Sequence, residues 1–168
     1  GADPFLVLAL GLHDTRLLDG NSMALTERVV PDLPTRFDDV IVPTAPGEEA
    51  LRPAVEALGG EIVNLRARDG VRLMGRWLVA GGVDEDGWAP DPREAILLLH
   101  GWTGSVTPDL VALGPFLRRT ASVLGLDFRG HGGSDDGPST FGLLETEDVA
   151  GALAWLGERG VTRVALVG

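Results

Sequence analysis

Two short stretches hold the residue types that carry out reactions, and each follows an apolar run. His100-Gly101-Trp102-Thr103-Gly104 closes Ala95-Ile96-Leu97-Leu98-Leu99, five apolar residues without alternation. Such a run reads as a strand buried on both faces, delivering a glycine-rich turn at its carboxyl end. Asp127-Phe128-Arg129-Gly130-His131-Gly132-Gly133-Ser134-Asp135 closes a second strand, Ala121 to Asp127. Open parallel sheets bind ligands at the carboxyl ends of their strands, so both turns are candidates for chemistry. A hydroxyl activated by an imidazole would carry out acyl transfer. Ser105 and Ser134 are the hydroxyls at these turns, and His100 and His131 the imidazoles.

Other chemistries are excluded by what the chain lacks. The sequence has no cysteine, which removes thiolate nucleophiles, disulfides and Cys-ligated metals within these residues. His13, His100 and His131 lie far apart with no helical metal-ligand spacing, so no metal is expected. The acidic run Asp84-Glu85-Asp86 lacks the spacing of a calcium loop and reads as solvated. A formal net charge of −11 repels phosphates, so neither nucleic acid nor an anionic membrane surface is an expected partner. All 14 basic residues are Arg, from which no mechanism follows.

The elements that position these turns become legible at Glu61. Val63, Leu65 and Ala67 alternate with polar residues, Asp69-Gly70 makes a tight turn, and Val71, Leu73, Gly75, Trp77 and Val79 alternate again. This predicts antiparallel strands over 61–68 and 71–79. A breaker-rich acidic loop follows from Ala80 to Arg93. Leu110, Leu113 and Leu117 recur at helical spacing, with a break or late start expected at Gly114-Pro115. The best helix runs from Leu143 to Arg159, with Glu145, Glu147 and Asp148 complementing its amino-terminal dipole and Gly160 stopping it. Val161 to Val167 is a last apolar strand.

Residues 1–60 read as an extension or Pro-rich linker. Phe5 to Leu12 is apolar but far short of the ~20 residues that span a bilayer. It is either a buried segment or the remnant of a signal or anchor helix. Membrane attachment would have to come from a segment preceding the chain, and a cytoplasmic location is expected. Prolines recur from Val29 to Pro53, with Val40-Ile41-Val42 as a candidate edge strand. Pro53 to Leu58 is expected to form one or two helical turns stopped by Gly59-Gly60.

The pattern strand-His100-Gly101, helix, strand-Asp127-Phe128-Arg129-Gly130-His131-Gly132-Gly133-Ser134, helix, Val164-Ala165-Leu166-Val167-Gly168 resembles the first half of an α/β-hydrolase. Thr140 to Glu145 with Asp148-Val149 and Trp155-Leu156 is similar to a bacterial branch of serine esterases, lipases and peptidase-like hydrolases. The resemblance covers 61–168. It implies an α/β fold with a mixed sheet: an amino-terminal antiparallel hairpin, then parallel strands with flanking helices, incomplete at the carboxyl end.

It also implies that none of the catalytic triad lies within 1–168. In this family the nucleophile sits in a Gly-x-Ser-x-Gly turn after a strand, and acid and histidine follow later. If Gly168 is the first glycine, the nucleophile is two residues beyond it. Ser105 does not lie between glycines at that spacing, and Ser134 lacks the final glycine. His100, Asp127, Arg129, His131 and Ser134 then become loop supports, with Asp127 and Arg129 inviting a salt bridge. Gly101, Trp102 and Thr103 form the oxyanion turn. The Trp102 N–H is one donor to the oxyanion, with Thr103 the neighbouring candidate. Gly101 is expected to leave no room for a Cβ. The Trp102 indole either lines the acyl pocket or packs beneath the loop.

The implied parent is a serine hydrolase cleaving small-molecule carboxylic esters, or amides or thioesters, through an acyl-enzyme without cofactor. Two alternatives stand beside it. Leu166-Val167-Gly168 also begins a dinucleotide-binding loop of an NAD-linked oxidoreductase, and the fold also serves non-catalytic binding proteins. With the far edge of the last strand bare, residues 1–168 alone are expected to be inactive and poorly soluble.

Overall fold

The computed structural model describes residues 6–10, 48–82, 87–101 and 104–168. The alternating stretch folds as the hairpin β2 (Glu61–Arg66) and β3 (Arg72–Leu78), with Val63 opposite Gly75 and Leu65 opposite Leu73. Val63, Leu65 and Ala67 are buried as their alternation predicts, and Leu73 with them, but at the end of β3 the expected alternation is corrected: Leu78 is buried on the opposite face and Val79 is exposed. The continuous apolar run forms β4 (Glu94–Leu99), in which Ala95, Ile96, Leu97 and Leu98 are all buried. A strand with every side chain buried needs helices on both faces. α2 (Thr107–Leu117) follows it, then β5 (Ser122–Leu126), α3 (Glu145–Glu158) and β6 (Arg163–Val167).

These strands join β1 (Leu6–Leu10) in one mixed sheet of order β1-β6-β4-β5-β3-β2. β4 is parallel to β5 and β6, while β3 is antiparallel to both β2 and β5. Alternate residues of β4 enter opposite layers. Ala95 and Leu97 join Leu65, Leu124, Ala152, Trp155 and Leu156 under α3. Ile96 and Leu98 join Leu78, Val106, Leu110 and Val123 on the other face, with Leu58 packed alongside. Each large aliphatic side chain buried this way contributes about 1.5–3 kcal/mol.

Three further expectations are corrected. The far edge of β6 is not bare, because β1 pairs with it in parallel, Leu6 opposite Arg163 through Leu10 opposite Val167. An apolar run of strand length satisfies the amides and carbonyls that the edge would otherwise present. α2 does not break at Gly114-Pro115. Pro115 falls in the last turn, where little helix remains to disturb, and Arg118 N–H still donates to the Gly114 carbonyl at 3.0 Å. α1 (Glu48–Leu58) begins before Pro53 and carries that proline inside. Packing outweighs the missing N–H: Val55 is buried, and Arg118 donates to the Leu58 carbonyl at 3.0 Å. Val40–Val42, the acidic run 84–86, His13, and Phe5 with Gly11 and Leu12 lie outside the described residues.

α3 lies so close to the hairpin that one position admits only glycine. A Cβ on Gly151 would collide with the Arg66 carbonyl oxygen and come 2.7 Å from the Ala67 Cα. Alanine inside a helix ordinarily stabilises by about 0.5–1 kcal/mol over glycine. Here the sign reverses: Gly151→Ala is expected to lose about 1–3 kcal/mol, read as a lower urea midpoint at unchanged slope. A midpoint at or above that of the parent chain would contradict the close approach.

Candidate active site

The loop after β5 is built around two acidic residues and one arginine, all buried. Asp127, 1% exposed, accepts from the Val106 amide at 2.8 Å through one oxygen and from the Gly133 amide at 3.0 Å through the other. Val106 leads into α2, so this carboxylate sits where the helix amino terminus favours negative charge. Buried Ser105 accepts from the Thr107 amide at 3.3 Å at the same helix start. Gly132 has φ of +50°, and a Cβ there would run into the Asp127 carboxylate. Ser134 donates to the Asp127 carbonyl at 2.6 Å and accepts from the Met74 amide at 2.9 Å, tying the loop to β3.

The expected Asp127–Arg129 salt bridge does not form. Asp127 is committed to two backbone amides, and Arg129 turns the other way. Arg129, 3% exposed, forks onto Asp148, with Nε at 2.9 Å and Nη2 at 2.7 Å, and onto Asp69 at 2.8 and 3.0 Å. Its own amide donates to the second Asp148 oxygen at 3.0 Å. Hydrogen bonds donated to Asp69 and then to Asp148 raise the Arg129 pKa, keeping it charged despite its burial. Asp148 is fully buried, although sequence reasoning placed it only as a dipole-facing charge. The acid that completes this knot, Asp69, was read only as a turn residue.

His100 uses both ring nitrogens on the backbone. Nε2 accepts from the Phe128 amide at 3.1 Å, which leaves Nδ1 as the protonated nitrogen, 2.6 Å from the Gly101 carbonyl oxygen. Burial lowers its pKa, favouring this neutral tautomer. His131 stands beside it, ring centroids 5.1 Å apart, with Nδ1 2.9 Å from the Arg129 carbonyl oxygen. Trp102 and Thr103 lie outside the described residues. The expectation that Gly101 has no room for a Cβ is corrected: among the described residues nothing lies within 4 Å of that position. The chain has left the sheet there and faces a cleft.

That cleft, about 220 Å³, is lined by His100, Gly101, Phe128, His131, Ser139, Phe141, Gly142 and Glu145. It lies at the carboxyl ends of the parallel strands. A hollow of about 270 Å³ at the opposite end, near Glu94 and Arg163, lies away from both loops. Sequence reasoning missed the wall formed by 139–145. Glu145 accepts from the Thr140 amide at 2.7 Å, the Thr140 hydroxyl at 2.6 Å and the Gly142 amide at 2.9 Å. Burial pushes its pKa up, but these hydrogen bonds outweigh burial and hold it down to about 2. Phe141, within the strap, has φ of +54° and is 71% exposed. A bulky residue in the left-handed region carries strain of about 1–3 kcal/mol.

Both shifted groups make stability fall with acid. The unfolded chain binds a proton at His100 below its ordinary value of 6.5 while the folded chain resists it, so stability drops as pH falls from there. Glu145 adds a second loss between its ordinary 4.5 and about 2. His100→Asn is expected to flatten the upper part of a melting-temperature profile against pH, and Glu145→Gln the lower part. Unchanged slopes in both variants would contradict the two hydrogen-bond assignments.

Residues 94–168 match the family model for the alpha/beta hydrolase fold. Among solved structures, an esterase from Pyrococcus furiosus is similar at 25% identity and a TM-score of 0.52, over 71% of this chain and 42% of that one. A serine hydrolase without lid from Xanthomonas campestris is similar in fold at 20% identity and a TM-score of 0.50, over 64% and 49%. A serine hydrolase homologue from Coxiella burnetii is similar in fold at 18% identity and a TM-score of 0.51, over 63% and 50%. No curated protein sequence matches. The chain spans less than half the length of the Pyrococcus esterase. The match over residues 94–168, the mixed sheet, the flanking helices and the paired loops at the carboxyl ends of β4 and β5 together give the chain an alpha/beta hydrolase type of fold.

Proposed function

We propose that the whole protein is a serine hydrolase that cleaves small-molecule carboxylic esters through an acyl-enzyme, and that Gly168 opens the turn carrying its nucleophile. The observation that carries this reading is the fit of Gly168 against β4. A Cβ there would stand 3.1 Å from the Leu99 Cβ and 3.2 Å from the Leu99 carbonyl oxygen. Gly168 continues β6 beside Leu99, so a turn that starts there would leave the sheet next to the turn after β4. A hydroxyl two residues on would be lifted clear of the sheet, where base and substrate reach it.

The oxyanion of the tetrahedral intermediate needs two backbone donors. One is the residue after the nucleophile, and the other is the Trp102 N–H, with Thr103 as its neighbour. The His100 contact supports this choice: Nδ1 holds the Gly101 carbonyl, and that carbonyl shares one planar peptide with the Trp102 nitrogen. His131, Arg129, Asp127 and Ser134 support the loop beside it rather than react. The antiparallel β2-β3-β5 pairing and the match over 94–168 favour this reading over a dinucleotide-binding one, whose sheet would be largely parallel. A hydrolase domain made of 61–168 together with β1 and α1 is part of the proposal, and no cofactor is needed.

The full-length protein is expected to hydrolyse p-nitrophenyl butyrate and to lose that activity on treatment with a serine-directed phosphonate. Residues 1–168 alone are expected to do neither. Turnover by the 1–168 chain, or a phosphonate-resistant full-length enzyme, would overturn the assignment of the nucleophile.

A further inference from the structure

The strap 139–145, which contributes to the lining of the cleft, holds one bulky side chain in a strained backbone conformation. Phe141 adopts φ of +54°, where glycine or asparagine is at ease and a phenyl-bearing residue is not. Strained backbone persists where surrounding structure over-determines it, and it clusters at ligand clamps. The over-determination is visible on both sides. Glu145 grips the Thr140 amide and hydroxyl before Phe141 and the Gly142 amide after it. The Thr140 hydroxyl also accepts from the Leu144 amide at 2.7 Å.

The side chain itself is 71% exposed and Leu143 is 75% exposed, so neither is held by core packing. Phe141 lines the same cleft as His100, Gly101 and Phe128. Glu145, the carboxylate among the described lining residues, already accepts three hydrogen bonds, while Phe128 and Phe141 offer a ligand an aromatic surface.

We infer that Phe141 is a specificity-determining residue, an aromatic wall against which the hydrocarbon part of an ester substrate packs. This rests on the hydrolase reading for its substrate class. The ester carbonyl would sit near Gly101, and an aliphatic chain of the acyl or the alcohol side would run along Phe141, removing its exposed ring from water. The held strap makes the wall preformed, so binding does not have to order it.

The test compares the full-length protein with Phe141→Gly and Phe141→Leu. The glycine variant is expected to melt at or above the parent's temperature, since the strained position is relieved. Its kcat/KM ratio for p-nitrophenyl octanoate over acetate is expected to fall about 10-fold, the size of one buried apolar contact. The leucine variant should keep most of that ratio. A parallel series of octyl and methyl acetate assigns the wall to the alcohol side if the ratio falls there instead. Unchanged ratios in both series, or a glycine variant that melts well below the parent with its ratios intact, would overturn the inference and make Phe141 a structural residue.

An uncharged apolar fluorophore, N-phenyl-1-naphthylamine, separates this from the hydrolase reading. If no ester is cleaved by the parent, that reading fails. Fluorophore binding weakened about 10-fold in the glycine variant would still support the wall, and equal binding would overturn it.

Discussion

Arg129 is the constraint on which the rest of the site depends. A guanidinium that is 3% exposed must be paired, because a buried charge left alone costs several kcal/mol. Its two partners come from different parts of the fold: Asp69 from the turn of the hairpin, and Asp148 from the first turn of α3. The Arg68 amide adds a bond to the Glu147 carbonyl at 3.0 Å, so hairpin and helix are joined beside the ion pairs. The loop after β5 thus cannot shift without leaving a carboxylate or the arginine unpartnered.

From that knot the geometry propagates toward the cleft. Asp127, two residues before Arg129, holds the start of α2 and the Gly133 amide. The Phe128 amide between them holds His100, and His100 holds the Gly101 carbonyl. Each link is a hydrogen bond between a backbone group and a side chain with few other choices. The turn after β4 is therefore set, at Gly101, by a loop that follows a different strand.

The sheet was legible because its signals are local. Alternation marks the hairpin, an unbroken apolar run marks β4, a nearly all apolar one marks β6, and the acidic start and glycine stop mark α3. What escaped was set by distance in the chain. Arg129 lies 60 residues from Asp69 and 19 from Asp148, so a nearest-neighbour reading paired it with Asp127. Thr140 and Glu145 are close in sequence, but their bond depends on a turn whose left-handed residue is Phe141, which no propensity suggests. The proline positions erred in the other direction, because packing of α1 and α2 outweighs a local break signal.

The central claim is that these loops serve a nucleophile emerging beside them, at the turn opened by Gly168, and that none of the hydroxyls within the described loops reacts. Mass-spectrometric mapping of the full-length protein after inactivation by a fluorophosphonate tests this most directly. A single adduct on the peptide that begins at or spans Gly168 is the predicted result. An adduct on Ser105, Ser134 or Ser139 would contradict it.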